Sequence, residues 1–253
     1  MKTQNITQLI IVLFLLITGN IIHAQDQEID TSKPTNFYSF LDNTLEYANQ
    51  PNQNVYGYRG NFTLAPSEAH LVLAEIPLLY NDRTSKFGLG DIRARYFFLP
   101  YKNYDKFFGA FGPSIDVFVP TGSFDDGLGS SSWVISPGIT IGLMAADWIQ
   151  FFPIVSYQYV SKPTTDKIPE AQKQDRNGIS FQVITPVVFS EKFFIQLTPV
   201  YLINDFSDSN QNRFAQELFG AYTLQEKLQL TGFFRGDFED EKYTFRLGLT
   251  VFL

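Results

Sequence analysis

Residues Phe193–Asn204 read FFIQLTPVYLIN. Phe193, Ile195, Leu197, Pro199, Tyr201 and Ile203 form one alternating set, and Phe194, Gln196, Thr198, Val200, Leu202 and Asn204 form the other. Successive side chains of a strand point to opposite faces, so this stretch has one wholly apolar face and one mixed face. The end of the chain repeats the pattern, with Tyr243, Phe245, Leu247, Leu249, Val251 and Leu253 set against Thr244, Arg246, Gly248, Thr250 and Phe252. In Trp148–Tyr159 the apolar set is Ile149, Phe151, Pro153, Val155, Tyr157 and Tyr159, opposite Gln150, Ser156 and Gln158. These runs last 11 or 12 residues. Strands of soluble sheets usually span about 5–6 residues, and a tilted membrane strand needs about 9–11. Length and alternation together predict strands that cross a membrane.

Working outward, the same reading predicts strands at 54–64, 69–80, 89–99, 107–119, 132–145, 148–160, 178–190, 192–204, 213–224, 227–238 and 242–253. Phe37–Tyr47 (FYSFLDNTLEY) is a twelfth candidate whose pattern fits a strand or a short helix equally. The connections alternate in length. Ala65–Glu68, Pro100–Lys106, Ala146–Asp147, Glu191 and Gln225–Glu226 are the shorter set; Asn81–Gly88, Pro120–Ser131, Ser161–Asn177, Asp205–Asn212 and Glu239–Glu241 interleave with them. Outer-membrane barrels have short periplasmic turns and longer outer loops. The expected fold is therefore all-β, a closed antiparallel transmembrane β-barrel of about twelve strands with both termini in the periplasm. A helical or α/β reading fails because no long stretch repeats at 3.6 residues. Pro77, Pro113, Pro137, Pro153, Pro186 and Pro199 fall inside predicted strands and are expected at bulges or near strand ends.

The first residues carry an export signal: Lys2, the apolar run Leu9–Ile17, then the breakers Gly19 and Asn20 and a small residue, Ala24. The run is shorter than the roughly 20 residues of a spanning helix. The expected organisation is a signal peptide over 1–24, an N-terminal segment over 25–53 that holds or omits the first strand, and the barrel over 54–253.

Composition narrows the function. The 253 residues include 26 Phe and 13 Tyr, no Cys, 2 His and a formal charge of -7. An acidic chain offers no basic surface for nucleic acid. Without cysteine there is no disulfide, thiolate metal site, cysteine nucleophile or acylated N-terminal anchor. If the apolar parity faces lipid, the opposite parity points into the bore: Arg59, Asn61, Glu75, Asp91, Arg93, Arg95, Asp116, Glu217, Arg235, Asp237 and Arg246. Charges in a bore tune selectivity in a pore; equally, a self-neutralising ladder fills a narrow barrel, because buried charges must pair or stay hydrated. Both readings stand on the sequence. Extrapolated between eight and sixteen strands, twelve give a backbone diameter of roughly 20 Å, so any pathway is narrow.

Other signals are weaker. Gly88-Leu89-Gly90-Asp91 lacks the βαβ context of a dinucleotide site. Asp125-Asp126-Gly127 and Asp205/Asp208/Asn210 are oxygen-rich but lack EF-hand spacing, so they read as solvated loop acids. No metal or cofactor is expected. Asn61-Phe62-Thr63 is a formal glycosylation sequon inside a predicted strand and is discounted. A lipid-acting enzyme would rest on His70, near Ser67 and Glu68. Its parity faces lipid at the periplasmic end, whereas outer-membrane phospholipases carry their lipid-facing Ser and His at the outer rim.

Gly88-Leu89-Gly90-Asp91 leading into Ile92–Phe98, then Gly112-Pro113, Val119-Pro120-Thr121-Gly122, Leu128-Gly129-Ser130, Trp133 and Ser136-Pro137-Gly138 follow one another in order. This series resembles the outer-membrane transporter family named for the meta-pathway of phenol degradation, from about residue 70 onward. The chain departs from the usual terminal Phe, since Phe252 is penultimate and Leu253 follows. The resemblance implies a barrel that passes small solutes, aromatic or hydrophobic compounds among them, and carries over no site residue. Expected partners are outer-membrane lipid, a small-molecule solute and the outer-membrane assembly machinery. The alternatives are a structural or adhesive barrel with a side-chain-filled lumen and the lipid-acting enzyme.

Mass spectrometry of the exported protein is expected to find Gln25 at the N-terminus; retention of Met1–Ala24 would replace the signal peptide with an anchor.

Overall fold

The computed structural model describes residues 36–208 and 211–253. Its strands are β1 (Phe40–Gln50), β2 (Gln53–Ser67), β3 (His70–Asn81), β4 (Lys86–Leu89), β5 (Ile92–Phe98), β6 (Tyr101–Lys102) and β7 (Phe108–Val119). There follow β8 (Val134–Ala146), β9 (Ile149–Val160), β10 (Arg176–Ser190), β11 (Phe193–Ile203), β12 (Asn212–Gln225), β13 (Leu228–Asp237) and β14 (Lys242–Phe252). β4 and β5 are two halves of one stave interrupted at Gly90-Asp91, and β6 is a short extension paired with β7. Each stave pairs antiparallel with its sequence neighbours, and β1 pairs with β14 from Phe40↔Phe252 to Asn49↔Tyr243. The result is a closed up-and-down barrel of twelve staves. Phe37–Tyr47, ambiguous in sequence, contributes to β1, whose span is shifted three residues onward to Phe40–Gln50.

Closure follows from the alternation. Leu45 and Leu247 are 70% and 62% exposed on the outside, whereas their neighbours Thr44, Glu46 and Gly248 point inward and are buried. A barrel that is apolar outside and has no free strand edge is what hydrocarbon requires, because it supplies no hydrogen-bond partner to the backbone. The outward aromatics collect in two belts. Tyr101, Phe108, Trp148, Phe189, Phe193 and Tyr222 ring the end that carries the termini, and Tyr56, Tyr80, Phe87, Tyr157, Phe214 and Phe238 ring the opposite end. Aliphatic residues such as Ile76, Ile139 and Leu197 lie between them. Aromatic girdles at both interfaces are a feature of membrane barrels.

Turn chemistry follows the sequence. Pro51-Asn52 joins β1 to β2, with Asn52 at φ 65. Pro presets the first central position of a type II turn, and Asn tolerates the left-handed second one.

The six strand prolines are not at bulges or strand ends; they sit well inside their staves. Each has one continuous ladder and one that lapses beside it. The β8–β9 ladder passes from Ile135↔Tyr159 to Gly138↔Ser156, missing Pro137, while β7–β8 pairs Ile115↔Pro137. It lapses again between Thr140↔Ile154 and Leu143↔Phe151, beside Pro153, which pairs with Val183 on its other side. Pro186 and Pro199 lie in equivalent gaps of the β9–β10 and β10–β11 ladders. Pro77 faces the break between β4 and β5, and Pro113 faces the break between β5 and β6. The physical reason is that a strand N–H points toward only one neighbour. Losing it interrupts one ladder and leaves the other whole.

Backbones also come close at glycine. A Cβ on Gly178 of β10 would overlap the carbonyl oxygen of Ile203 on β11. Gly178→Ala is expected to destabilise the folded barrel by about 1–3 kcal/mol, the cost of overpacking, seen as a lower urea midpoint in detergent; an unchanged midpoint would show that the staves can separate there.

Candidate functional site: a charge band and cavity in the bore

The inward parity of β1, β2, β3, β5, β7 and β14 assembles one band of charge. Glu46 on β1 accepts from Arg59 Nε at 2.6 Å and from Arg246 Nε at 2.7 Å. Glu75 on β3 accepts from Arg59 at 3.2 Å and Arg93 at 3.0 Å, with Arg246 at 3.9 Å. Asp116 on β7 accepts from Arg93 at 2.6 Å and from Arg95 at 2.5 Å, both on Oδ2. The order follows the register: Glu46 lies opposite Arg246 across β1–β14, Asn61 opposite Glu75, Glu75 opposite Arg93, and Arg95 opposite Asp116. Opposed charges on neighbouring strands are the stabilising arrangement for cross-strand pairs. Glu46 and Glu75 are each 7% exposed, so these ions depend on one another rather than on bulk water.

A second cluster lies on β13, which adjoins β14, and on β12 beyond it. Arg235 on β13 bonds Glu217 on β12 and Asp237, both at 2.6 Å. In ring order β5 and β12 are diametrically opposed, so Arg93 and Arg95 lie across the bore from Glu217.

The structure thus places Arg59, Glu75, Arg93, Arg95, Asp116 and Arg246 in one network and Glu217, Arg235 and Asp237 in another. Asp91 is elsewhere. It accepts from the backbone N–H groups of Gly122 at 3.0 Å and Ser130 at 2.7 Å, tying down the 120–133 connection. That connection turns into the mouth opposite the termini. Leu128 packs on the inward residues Ala48, Val55 and Leu79, Asn81 donates to the Gly127 carbonyl at 3.3 Å, and Thr84 to the Asp126 carbonyl at 2.9 Å. The glycine-rich motifs around 88–91, 122 and 128–130 therefore meet in one clasp.

Toward the termini, a cavity of about 320 Å³ opens below the band. Arg93, Arg95, Arg246 and Glu75 line it with Phe194, Phe219, Phe233 and Phe252, and residues 36–40 complete its wall. Tyr38 meets Phe252 edge-on at 5.9 Å, and Phe37 packs against the cluster of Leu99, Ala110 and Phe152 under Lys102. Asp42, also in the cavity, accepts from Asn61, Thr231 and Thr250 at 2.9, 3.2 and 2.8 Å.

Sequence reasoning missed Glu46, which is the hub of the band, together with Asp42, because both lie in the stretch that could not be told from a helix. The alternation Asp42, Thr44, Glu46, Ala48 was the available signal. Lys242, inward on β14, was also missed. His70 faces outward as a rim aromatic, stacked on Phe98 at 4.6 Å with Nδ1 2.7 Å from the Tyr96 hydroxyl. Among the described residues no three acidic or histidine side chains converge as a metal site; Asp205 is bonded to Ser207, and Asn210 lies outside the described residues.

No protein-family model matches the chain, and no curated protein matches it. Solved structures do. A NanC porin superposes with a TM-score of 0.62 at 10% identity, covering 84% of this chain and 100% of that one. An outer membrane channel from Pseudomonas putida F1 gives 0.59 at 10% identity, over 86% and 96%. A KdgM porin in complex with disordered oligogalacturonate gives 0.53 at 11%, over 84% and 98%. At these identities the likeness establishes the fold, that of a porin-like outer-membrane β-barrel.

Glu46→Gln removes the carboxylate shared by Arg59 and Arg246. It is expected to cost about 3–5 kcal/mol, since an ion pair broken on one side strands its partner. Asp237→Asn should cost less, because Arg235 keeps Glu217. Urea midpoints of the two variants check this order, and equal midpoints would contradict it.

Proposed function

We propose that this chain is an outer-membrane channel for the passive passage of small solutes, exported by residues 1–24 and inserted by the outer-membrane assembly machinery. The observation that carries this reading is the cavity of about 320 Å³ inside a closed barrel, bounded by a band of guanidinium and carboxylate groups. In this reading the termini and short turns face the periplasm, and the clasped 120–133 connection faces outward. Arg93 and Arg95 act on the solute as it crosses the band, alongside Glu75, Asp116 and the opposing Glu217. Charged rings of this kind set which ions pass.

The size and lining of the cavity favour small, aromatic or hydrophobic compounds, in keeping with the resemblance to the phenol-degradation transporters. A KdgM porin is named with an oligogalacturonate, a polyanion. A polyanion needs a run of uncompensated cations, whereas here Arg59, Arg93, Arg95, Arg235 and Arg246 each face a carboxylate.

A second reading, a structural barrel with a filled lumen, is favoured by Leu128 at one mouth and Phe37–Tyr38 at the other. Planar-bilayer conductance and liposome uptake separate the two. The channel reading expects current and uptake that falls with solute size, and a several-fold change in the cation-to-anion permeability ratio in Arg93→Gln/Arg95→Gln. An unchanged ratio would remove both arginines from the pathway. Absence of current from protein that shows the heat-dependent gel shift of a folded barrel would leave the structural reading.

A further inference from the structure

The connection between β7 and β8 crosses the mouth opposite the termini and does not skirt its rim. It leaves β7 after Val119 and enters β8 at Val134, yet its Leu128 is seated on Ala48 of β1, Val55 of β2 and Leu79 of β3. From β7 the ring runs through β5, β3 and β2 before it reaches β1. The seat residues share the inward parity of Glu46, Arg59 and Glu75. A segment rooted on one part of the wall and seated on the inside of another is a chord across the bore.

The chord has a fixed root and a lightly held tip. At the root, Thr121 fills the interruption between β4 and β5: its Oγ1 accepts from the Ile92 N–H at 3.0 Å and donates to the Gly90 carbonyl at 2.6 Å. The Asp91 carboxylate takes the N–H groups of Gly122 and Ser130, so both limbs of the chord hang from one stave. Bonds to an ionised acceptor are about twice as strong as neutral ones. Above them the limbs touch, since a Cβ on Gly122 would overlap the Leu128 carbonyl and one on Gly129 the Gly122 carbonyl. This neck is two glycines wide, and glycine is the residue whose backbone turns most freely.

The tip, residues 123–128, is bonded to itself. The Leu128 N–H donates to the Ser123 carbonyl and the Gly127 N–H to the Phe124 carbonyl, both at 2.9 Å, and the Asp126 N–H to Ser123 Oγ at 3.3 Å. Its hold on the far wall is the apolar seat of Leu128 and two neutral hydrogen bonds, Thr84 Oγ1 to the Asp126 carbonyl and Asn81 Nδ2 to the Gly127 carbonyl. One further bond reaches it from the next connection, Thr165 Oγ1 to Asp125 at 3.4 Å. Lifting the tip therefore breaks none of its internal bonds, and the carbonyls it releases return to water at the mouth. Elements with few buried apolar contacts are the ones that open locally.

The geometry points to a hinged lid: residues 123–128 swing as one body on the Gly122–Gly129 neck and open the mouth when Leu128 leaves its seat on Ala48, Val55 and Leu79. Asp91 is the mount, Thr84 and Asn81 are the catch, and the structure shows the lid shut. The inference deepens the channel reading by giving the pathway a gate, and rests on that reading for its use; the movement itself does not require passage.

The chain has no cysteine, so an introduced thiol is unique. The test uses the mature protein in liposomes. Leu128 is 6% exposed, so in Leu128→Cys the thiol is shielded while the lid is shut. Its rate of modification by a charged methanethiosulfonate, relative to that of the exposed Phe124→Cys, reads the opening. Adding Thr84→Val removes one catch at nearly constant shape and is expected to raise the rate several-fold, the worth of one hydrogen bond. Planar-bilayer current is then read from Leu128→Cys/Val55→Cys, with the two thiols bridged by oxidation or by a short bifunctional methanethiosulfonate and the bridge verified by mass. Bridged protein is expected to pass several-fold less current, recovered on reduction, with wild type indifferent to the reagents. A Leu128→Cys rate that ignores Thr84→Val overturns the lid. Equal currents before and after bridging overturn it too, and leave the channel reading intact. No current from any variant, with the modification rate still responding to Thr84→Val, leaves the moving tip and defeats the channel reading.

Discussion

Everything in this molecule depends on the pairing of β1 with β14. A bilayer core offers no donor or acceptor to a strand edge, so a sheet that crosses it must close. Closing twelve staves fixes the tilt and diameter of the barrel, and with them the width of the bore. The same pairing brings Glu46 to Arg246 across a separation of 200 residues. The apolar outside, the two aromatic belts and the inward charges are consequences of one alternating pattern wrapped into a ring.

What fills the ring follows from the register. Neighbouring staves place opposite charges side by side, so Glu46, Arg59, Glu75, Arg93, Asp116 and Arg95 form a chain of contacts along the wall. Such a chain is stabilising only as a whole, since a carboxylate removed from the middle strands two guanidiniums. The bore is thereby narrowed by polar side chains near its middle, by Leu128 toward one mouth and by Phe37 and Tyr38 toward the other. Between the band and the terminal segment the lining turns aromatic.

The sequence was legible where the period of two was long and clean. The strands from 54 onward agree with the structure to within a few residues, and the inward parity of Arg59, Glu75, Arg93 and Arg246 follows from it directly. It was less legible at Phe37–Tyr47, whose polar residues fit two periods, and that ambiguity concealed Glu46. The prolines were misplaced for a different reason: sequence shows that a donor is missing but not toward which neighbour it would have pointed. Asp91 has inward parity like Arg93, yet a three-dimensional contact with a connection some 30 to 40 residues later, at Gly122 and Ser130, determines what it does.

That contact changes the character of the mouth opposite the termini. Loops of barrels are commonly where a chain is least fixed. Here the 120–133 connection is held by Asp91, Asn81 and Thr84, and the next one leans on it, with Thr164 donating to the Ser131 carbonyl and Thr165 to Asp125. Two of the longest connections therefore form a single preset relief. Any molecule that binds this mouth would find its binding surface already folded, and would not have to supply the ordering entropy that a loose loop demands.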